Sequence, residues 1–242
     1  MSEYKEFGFG ENDDDIVSGS KRFKAKEGEM YRASFVWWPG SEDLKPNLAA
    51  ATPKFIGCKR LYLPGVGYFL DKGPEYRKLA GTEPKITVAT IICVWPIDKK
   101  GNIITSKLEA GEYAVQPWMF SNDKYNAIGQ NHTQFPLNDH DITMSCTDTQ
   151  YQKMTFAPCR ESLFKMMMDK NSTKIQKILT EVKEVAATIA TELARDLSVD
   201  QIRAKLAGGG GGGGGGGKGG GTGAKPNMPD AQAINDLLDV IS

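Results

Sequence analysis

From Gly208 the chain loses its side chains: a glycine run reaches Gly217, resumes around Lys218 as far as Gly223, and opens into residues 224–229. A stretch without side chains cannot bury apolar area to offset the entropy of ordering it. Residues 208–229 are therefore predicted to be a disordered, glycine-rich linker. This constrains everything else, because only the residues before it can supply a core. They suffice for one large domain, or a domain with helical appendages. Beyond the linker, residues 230–242 set three aspartates among Ile234, Leu237, Leu238, Val240 and Ile241, an acidic tip studded with apolar side chains.

The formal charge of the whole chain is zero, but its distribution is not even. Residues 1–20 carry one lysine against six acids, net −5, and read as an acidic N-terminal arm; residues 226–242 are net −3. Because the total is zero, residues 21–225 carry +8. A basic body between acidic ends is compatible with a polyanionic partner. Cys58, Cys93, Cys146 and Cys159 lie far apart without zinc-knuckle spacing, as expected of reduced thiols in an intracellular protein. The first residues lack a basic start followed by an apolar core, and no apolar run approaches a membrane span. The expectation is a soluble cytoplasmic protein (host cytoplasm if viral) that has no membrane partner.

Residues 21–160 read as a β-rich domain. Strands are expected at 30–38, at 55–63 with a hairpin return through Pro64-Gly65-Val66-Gly67 into 68–70, at 85–95, at 103–105, and at 112–120 with Pro117 marking an edge. The run 85–95, β-branched on both faces, predicts a central buried strand. A short helix is expected near 75–79, a mobile loop at 122–138, and a second hairpin pairing 141–147 with 151–156. The predicted fold is mainly β with C-terminal helices: an OB-like antiparallel Greek-key barrel with inserted loops.

Residues 161–207 read as a helical segment. Ser172 caps a long amphipathic helix whose apolar residues run from Ile175 through Leu197 at spacings of three and four. The stripe fits packing on the barrel, and leaves open homo-oligomer formation through the helix. Ser198 and Gln201 form a capping box that opens a last short helix.

Enzymatic signatures are missing. His132 and His140 have no ligand partners at metal spacing, and the chain holds no nucleophile elbow, phosphate loop or dinucleotide fingerprint. The reading is a protein that is not an enzyme, with no cofactor and no metal. Single-strand binding instead needs cations for phosphates and aromatic faces for bases. The stretches that pair the two supply Arg32, Trp37 and Trp38; Lys54, Lys59, Arg60, Tyr62 and Tyr68; Arg77; Trp118, Lys124 and Tyr125; and Lys153 with Phe156. Strand alternation puts Arg60 and Tyr62 on one face, while Trp95 is assigned to the core.

The glycine tether and acidic tip resemble the C-terminus of single-stranded DNA-binding proteins, including those of bacteriophage replication systems. The resemblance covers the last 35 residues in design and the β-rich domain in outline. It implies an oligonucleotide-binding barrel that protects single-stranded DNA in replication and recombination. It also implies a tip, here Asp236, Leu237, Leu238, Asp239, Val240 and Ile241, that recruits replication, recombination and repair proteins. The end Val-Ile-Ser departs from the Pro-Phe end of the bacterial tips. The alternative is a non-enzymatic oligomeric adaptor that docks through its long helix and tail.

Overall fold

The computed structural model describes residues 22–148, 153–170 and 172–208. The strands are β1 (Met30–Phe35), β2 (Ile56–Leu63), β3 (Gly67–Leu70), β4 (Lys85–Trp95), β5 (Ala114–Ser121), β6 (Ile142–Cys146) and β7 (Met154–Pro158). The helices are α1 (Pro74–Ala80), α2 (Thr105–Glu109), α3 (Asn122–Gln134), α4 (Leu163–Asp169), α5 (Thr173–Leu193) and α6 (Val199–Gly208). The protein is mixed α/β: a seven-stranded antiparallel sheet followed by C-terminal helices. The path is β3-β2-β4-β1-β6-β7, with β5 paired to β4.

The expected barrel does not close. β4 takes β5 along Thr87–Val94 on one edge, and β1 along Ile92–Trp95 on the other. Closure would need a further pairing between β5 and β7, but other chain lies against both. α3 packs on β4, β5 and β7. The segment entering β1 runs beside β5, where the Phe23 amide donates to Pro117 O, and reaches β6, where the Gly28 amide donates to Cys146 O.

The chain divides into two compact units. Among the described residues one holds 22–58 and 85–194, the other 59–84 and 195–208. In the first, β4 is buried on both faces from Val88 to Cys93, as its unbroken apolar run requires. One face is an aromatic layer. Register places Thr90 opposite Trp118, Val88 opposite Phe120 and Ile92 opposite Phe35. Trp118 packs edge-on to Phe23 at 5.8 Å and tilts against Phe120 at 4.4 Å and Phe156 at 6.0 Å. The other face carries Ser34, Cys93 and Trp95 toward the C-terminal helices. There α5 buries Ile175, Ile178, Leu179, Val182, Val185, Ile189 and Leu193, and packs on β4 and β5. The apolar stripe that could have formed a coiled-coil seam is thus used inside the unit. Ser172 Oγ accepts from the Lys174 amide at its start.

Two local expectations change. The loop expected at 122–138 contains α3, whose sequence has poor helix propensity but whose Ile128 is buried. Tertiary contact outweighs propensity there. The strand expected at 103–105 reduces to one bridge between Ile97 and Ile103, and Thr105 already opens α2.

The second unit is small. Leu61 and Phe69 face each other across the β2–β3 hairpin and pack with Val66, with Ala80 of α1 and with Ile202 of α6. The capping box forms: the Gln201 amide donates to Ser198 Oγ at 3.2 Å, and the Ser198 amide to Gln201 Oε1 at 2.8 Å. Ser198→Ala is expected to lower stability by about 1 kcal/mol, read as a drop in the thermal midpoint. An unchanged midpoint would make the cap irrelevant.

Candidate nucleic-acid interface

The hairpin of the second unit brings together more of the expected binding residues than any other element. Tyr62 and Tyr68 are direct cross-strand partners, and Arg60 pairs with Leu70 one row away. Alternation sets these side chains opposite Leu61 and Phe69; Arg60 is buried, Tyr62 half-buried and Tyr68 exposed. The two tyrosine rings lie 4.9 Å apart, tilted by 53°. The Arg60 guanidinium sits 4.5 Å from the Tyr68 ring centroid, a cation–π contact worth about 0.5–2 kcal/mol. Arg60 is only 8% exposed, so its stem is held under the ring, whereas Tyr68 keeps 51% of its surface in solvent. A rigid array results, with a cation, an open aromatic face and a second ring.

That unit as a whole, hairpin included, is basic. Its described residues hold eight Lys and Arg against five Asp and Glu, net +3. Lys59 is exposed on the opposite side of β2. Arg77 is committed to a nearly buried Asp71, with Nε at 2.9 Å and Nη2 at 2.7 Å from Oδ2. Burial would raise the Asp71 carboxyl, but Arg77 and the Gly73 amide outweigh it and hold it below the ordinary carboxylate range. Arg77 therefore braces the loop after β3. Lys72 pairs with Asp196.

In the first unit most of the expected aromatics serve the core. Trp38 and Trp118 are fully buried and Trp37 nearly so. Trp38 Nε1 donates to Phe35 O, and Trp37 Nε1 donates to Glu42 at 2.9 Å. Lys54 lies over the Trp37 ring at 5.0 Å and pairs with the same Glu42, so the three groups satisfy one another. Tyr125 packs edge-on to Phe55 at 5.1 Å, and Phe156 lies against Trp118. These rings fill the space beneath α3. Half-burial pulls the Lys124 ammonium below its ordinary pKa, which disfavours the charged form a phosphate contact needs. Lys153 is exposed at the start of the β7 strand.

Arg32 belongs to a buried polar knot. Its Nε donates to Asp141 Oδ2 at 2.9 Å, and its Nη2 to Glu161 O at 3.1 Å. The same carboxylate accepts from Ser34 Oγ and from the Leu163 amide at the start of α4. Ser34 Oγ in turn accepts from Trp95 Nε1 at 2.8 Å. Burial pushes the Asp141 carboxyl above its ordinary value against the pull of Ser34 and Arg32. Ser34 and Asp141 are both inaccessible to solvent, so the knot fastens β1, β6 and α4 and offers no entry to a substrate.

Among the described residues no group of His, Cys, Asp and Glu is placed to hold a metal ion, and no helix is long and apolar enough to cross a membrane. The acidic arm at 1–20, the linker from residue 209 onward and the tip residues Asp236, Leu237, Leu238, Asp239, Val240 and Ile241 lie outside the described residues. The chain matches no family model, no curated protein and no solved structure.

Proposed function

We propose that the protein binds single-stranded DNA without sequence preference, with bases stacking on the outer face of the β2–β3 hairpin. The observation that carries this reading is the array Arg60–Tyr68–Tyr62: a half-exposed ring backed by a guanidinium that is itself pinned. Ring faces accept any base, so such a site is sequence-tolerant, and each stacked base contributes about 1–3 kcal/mol. The net positive charge of the same unit favours a polyanion. The reading needs an open sheet face and no closed OB-like barrel. No catalytic step and no cofactor enters it. In the same reading the acidic tip recruits replication and recombination proteins, as the resemblance of the tail implies.

All four tryptophans are buried, so anisotropy of a labelled oligo-dT is a better probe than tryptophan quenching. Tyr68→Ala is expected to weaken binding by roughly 5- to 150-fold, the equivalent of one stacked base. Its stability should fall by no more than the lost ring–guanidinium contact, about 0.5–2 kcal/mol, so the variant remains folded for the binding measurement. Unchanged affinity of the folded variant would refute the assignment.

A further inference from the structure

The outer side of the β1–β6–β7 half of the sheet carries small hydroxyl-bearing side chains. Register aligns Met30, Ser145 and Thr155 in one row across the three strands. The neighbouring row holds Thr147 and Lys153, joined by the Thr147 amide donating to Lys153 O at 3.0 Å. Met30 is 42% exposed, and Thr147, Lys153 and Thr155 are exposed with it. No aromatic ring stands in these two rows, and the acid that reaches the second, Asp148, spends Oδ1 on the Lys153 amide at 3.1 Å. The face is small and hydroxyl-bearing, with the Thr147 hydroxyl donating to Lys153 O at 3.4 Å.

A braced pair of lysines stands beside it. In the turn after β4, Asp98 Oδ1 accepts from the Lys100 amide at 2.8 Å and the Asn102 amide at 2.9 Å, and Oδ2 accepts from Asn102 Nδ2 at 3.1 Å. The Asp98 amide also donates to Asn102 O, and the Gly101 amide to Asp98 O. The Asn102 side chain first, then the turn amides, hold the Asp98 carboxyl below its ordinary value. The turn is thereby fixed with Lys99 and Lys100 outward. Gly101, at φ +84°, lies against the Met30 sulfur: a Cβ there would sit 3.2 Å from Sδ. The lysine turn thus flanks β1 where Lys153 flanks β7, about 10 Å across by two inter-strand spacings.

We infer that this face is a second, base-independent contact surface for the phosphodiester backbone of a single strand, resting on the function proposed above. Cations on both flanks suit phosphates, and threonine and serine hydroxyls are common donors to phosphate and sugar oxygens. The absence of rings excludes a stacking role, and charge complementarity selects a polyanion. The surface would therefore contribute salt-dependent affinity and no base preference.

The test is the salt dependence of labelled oligo-dT binding by the full chain and two variants. Lys99→Gln with Lys100→Gln and Lys153→Gln should flatten the log–log salt slope by about 2, at about 0.7 per lost phosphate contact. Tyr68→Ala should lower affinity while leaving the slope unchanged. The far-ultraviolet circular dichroism melt of the triple variant should match that of the unaltered chain, since the three lysines are exposed, and Tyr68→Ala should lose no more than its ring–guanidinium contact. If the unaltered chain binds but the triple variant keeps its slope, this inference alone falls. If the unaltered chain does not bind oligo-dT at all, the proposed function falls and takes this inference with it. If the triple variant instead loses binding to an acidic peptide while its DNA slope is intact, the face is a protein-docking surface and the inference is wrong.

Discussion

Asp141→Ala is expected to destabilise the protein by about 3–5 kcal/mol, a large share of a domain's total stability. The carboxylate is fully buried and accepts from Arg32, Ser34 and the Leu163 amide. Removing it strands the Arg32 guanidinium, whose side chain is only 14% exposed, with Glu161 O still accepting from it. It also removes the acceptor for the Leu163 amide at the start of α4, and leaves Ser34 Oγ with only its donors Trp95 Nε1 and the Phe164 amide. Urea unfolding followed by circular dichroism measures the change. A loss below about 1 kcal/mol would mean that the knot is solvated or rearranges. Arg32→Leu should also destabilise, because it leaves the opposite charge unpaired. Combining it with Asp141→Asn should recover part of the loss, since both charges are then gone.

Trp118→Ala should cost about 3–5 kcal/mol as well, for a different reason. The indole is fully buried between β4 and the rings of Phe23, Phe120 and Phe156, and it also meets Phe35. Truncation leaves a large cavity that β4 and α3 cannot close. If Trp118 stacked bases instead, the same substitution would weaken oligo-dT binding and spare the melt. Comparing Trp118→Ala with Tyr68→Ala in one pair of experiments separates the two roles: stability moves in the first and affinity in the second. A Trp118→Ala protein that melts normally would overturn the aromatic layer described above.

Elements with strong local signals were legible from residues alone. The β-branched run at 85–95 became β4, the Pro64–Gly67 turn closed the hairpin, and Ser172 and Ser198 capped the helices after them. Alternation also put Arg60 and Tyr62 on one face. What local pattern could not supply was the fate of each ring. Trp37, Trp118, Tyr125 and Phe156 stand beside cations in sequence just as Tyr62 and Tyr68 do. Yet Phe23 and Phe156 pack on Trp118, Lys54 and Glu42 close over Trp37, and Tyr125 turns from α3 onto Phe55, and nothing in the neighbouring residues announces that cover. α3 was missed because asparagines, Gly129 and polar residues dominate it, and its helix depends on Ile128 reaching the core. The outer face of β6 and β7 had a usable signal, small polar residues alternating with Ile142, Met144 and Cys146, but small side chains draw less notice than rings.

The second unit is discontinuous in sequence: 110 residues separate Pro84 from Arg195. Its hairpin leaves the ribosome early, while Ile202, which completes the floor under Leu61 and Phe69, arrives long afterwards. At 5–20 residues per second the wait is on the order of ten seconds. During that interval the floor lacks Ile202, so the hairpin's tyrosine face is not set before α6 has been made. A nascent or truncated chain ending before α6 would carry a folded sheet core without a complete stacking array, so the proposed competence to bind would be switched on by α6.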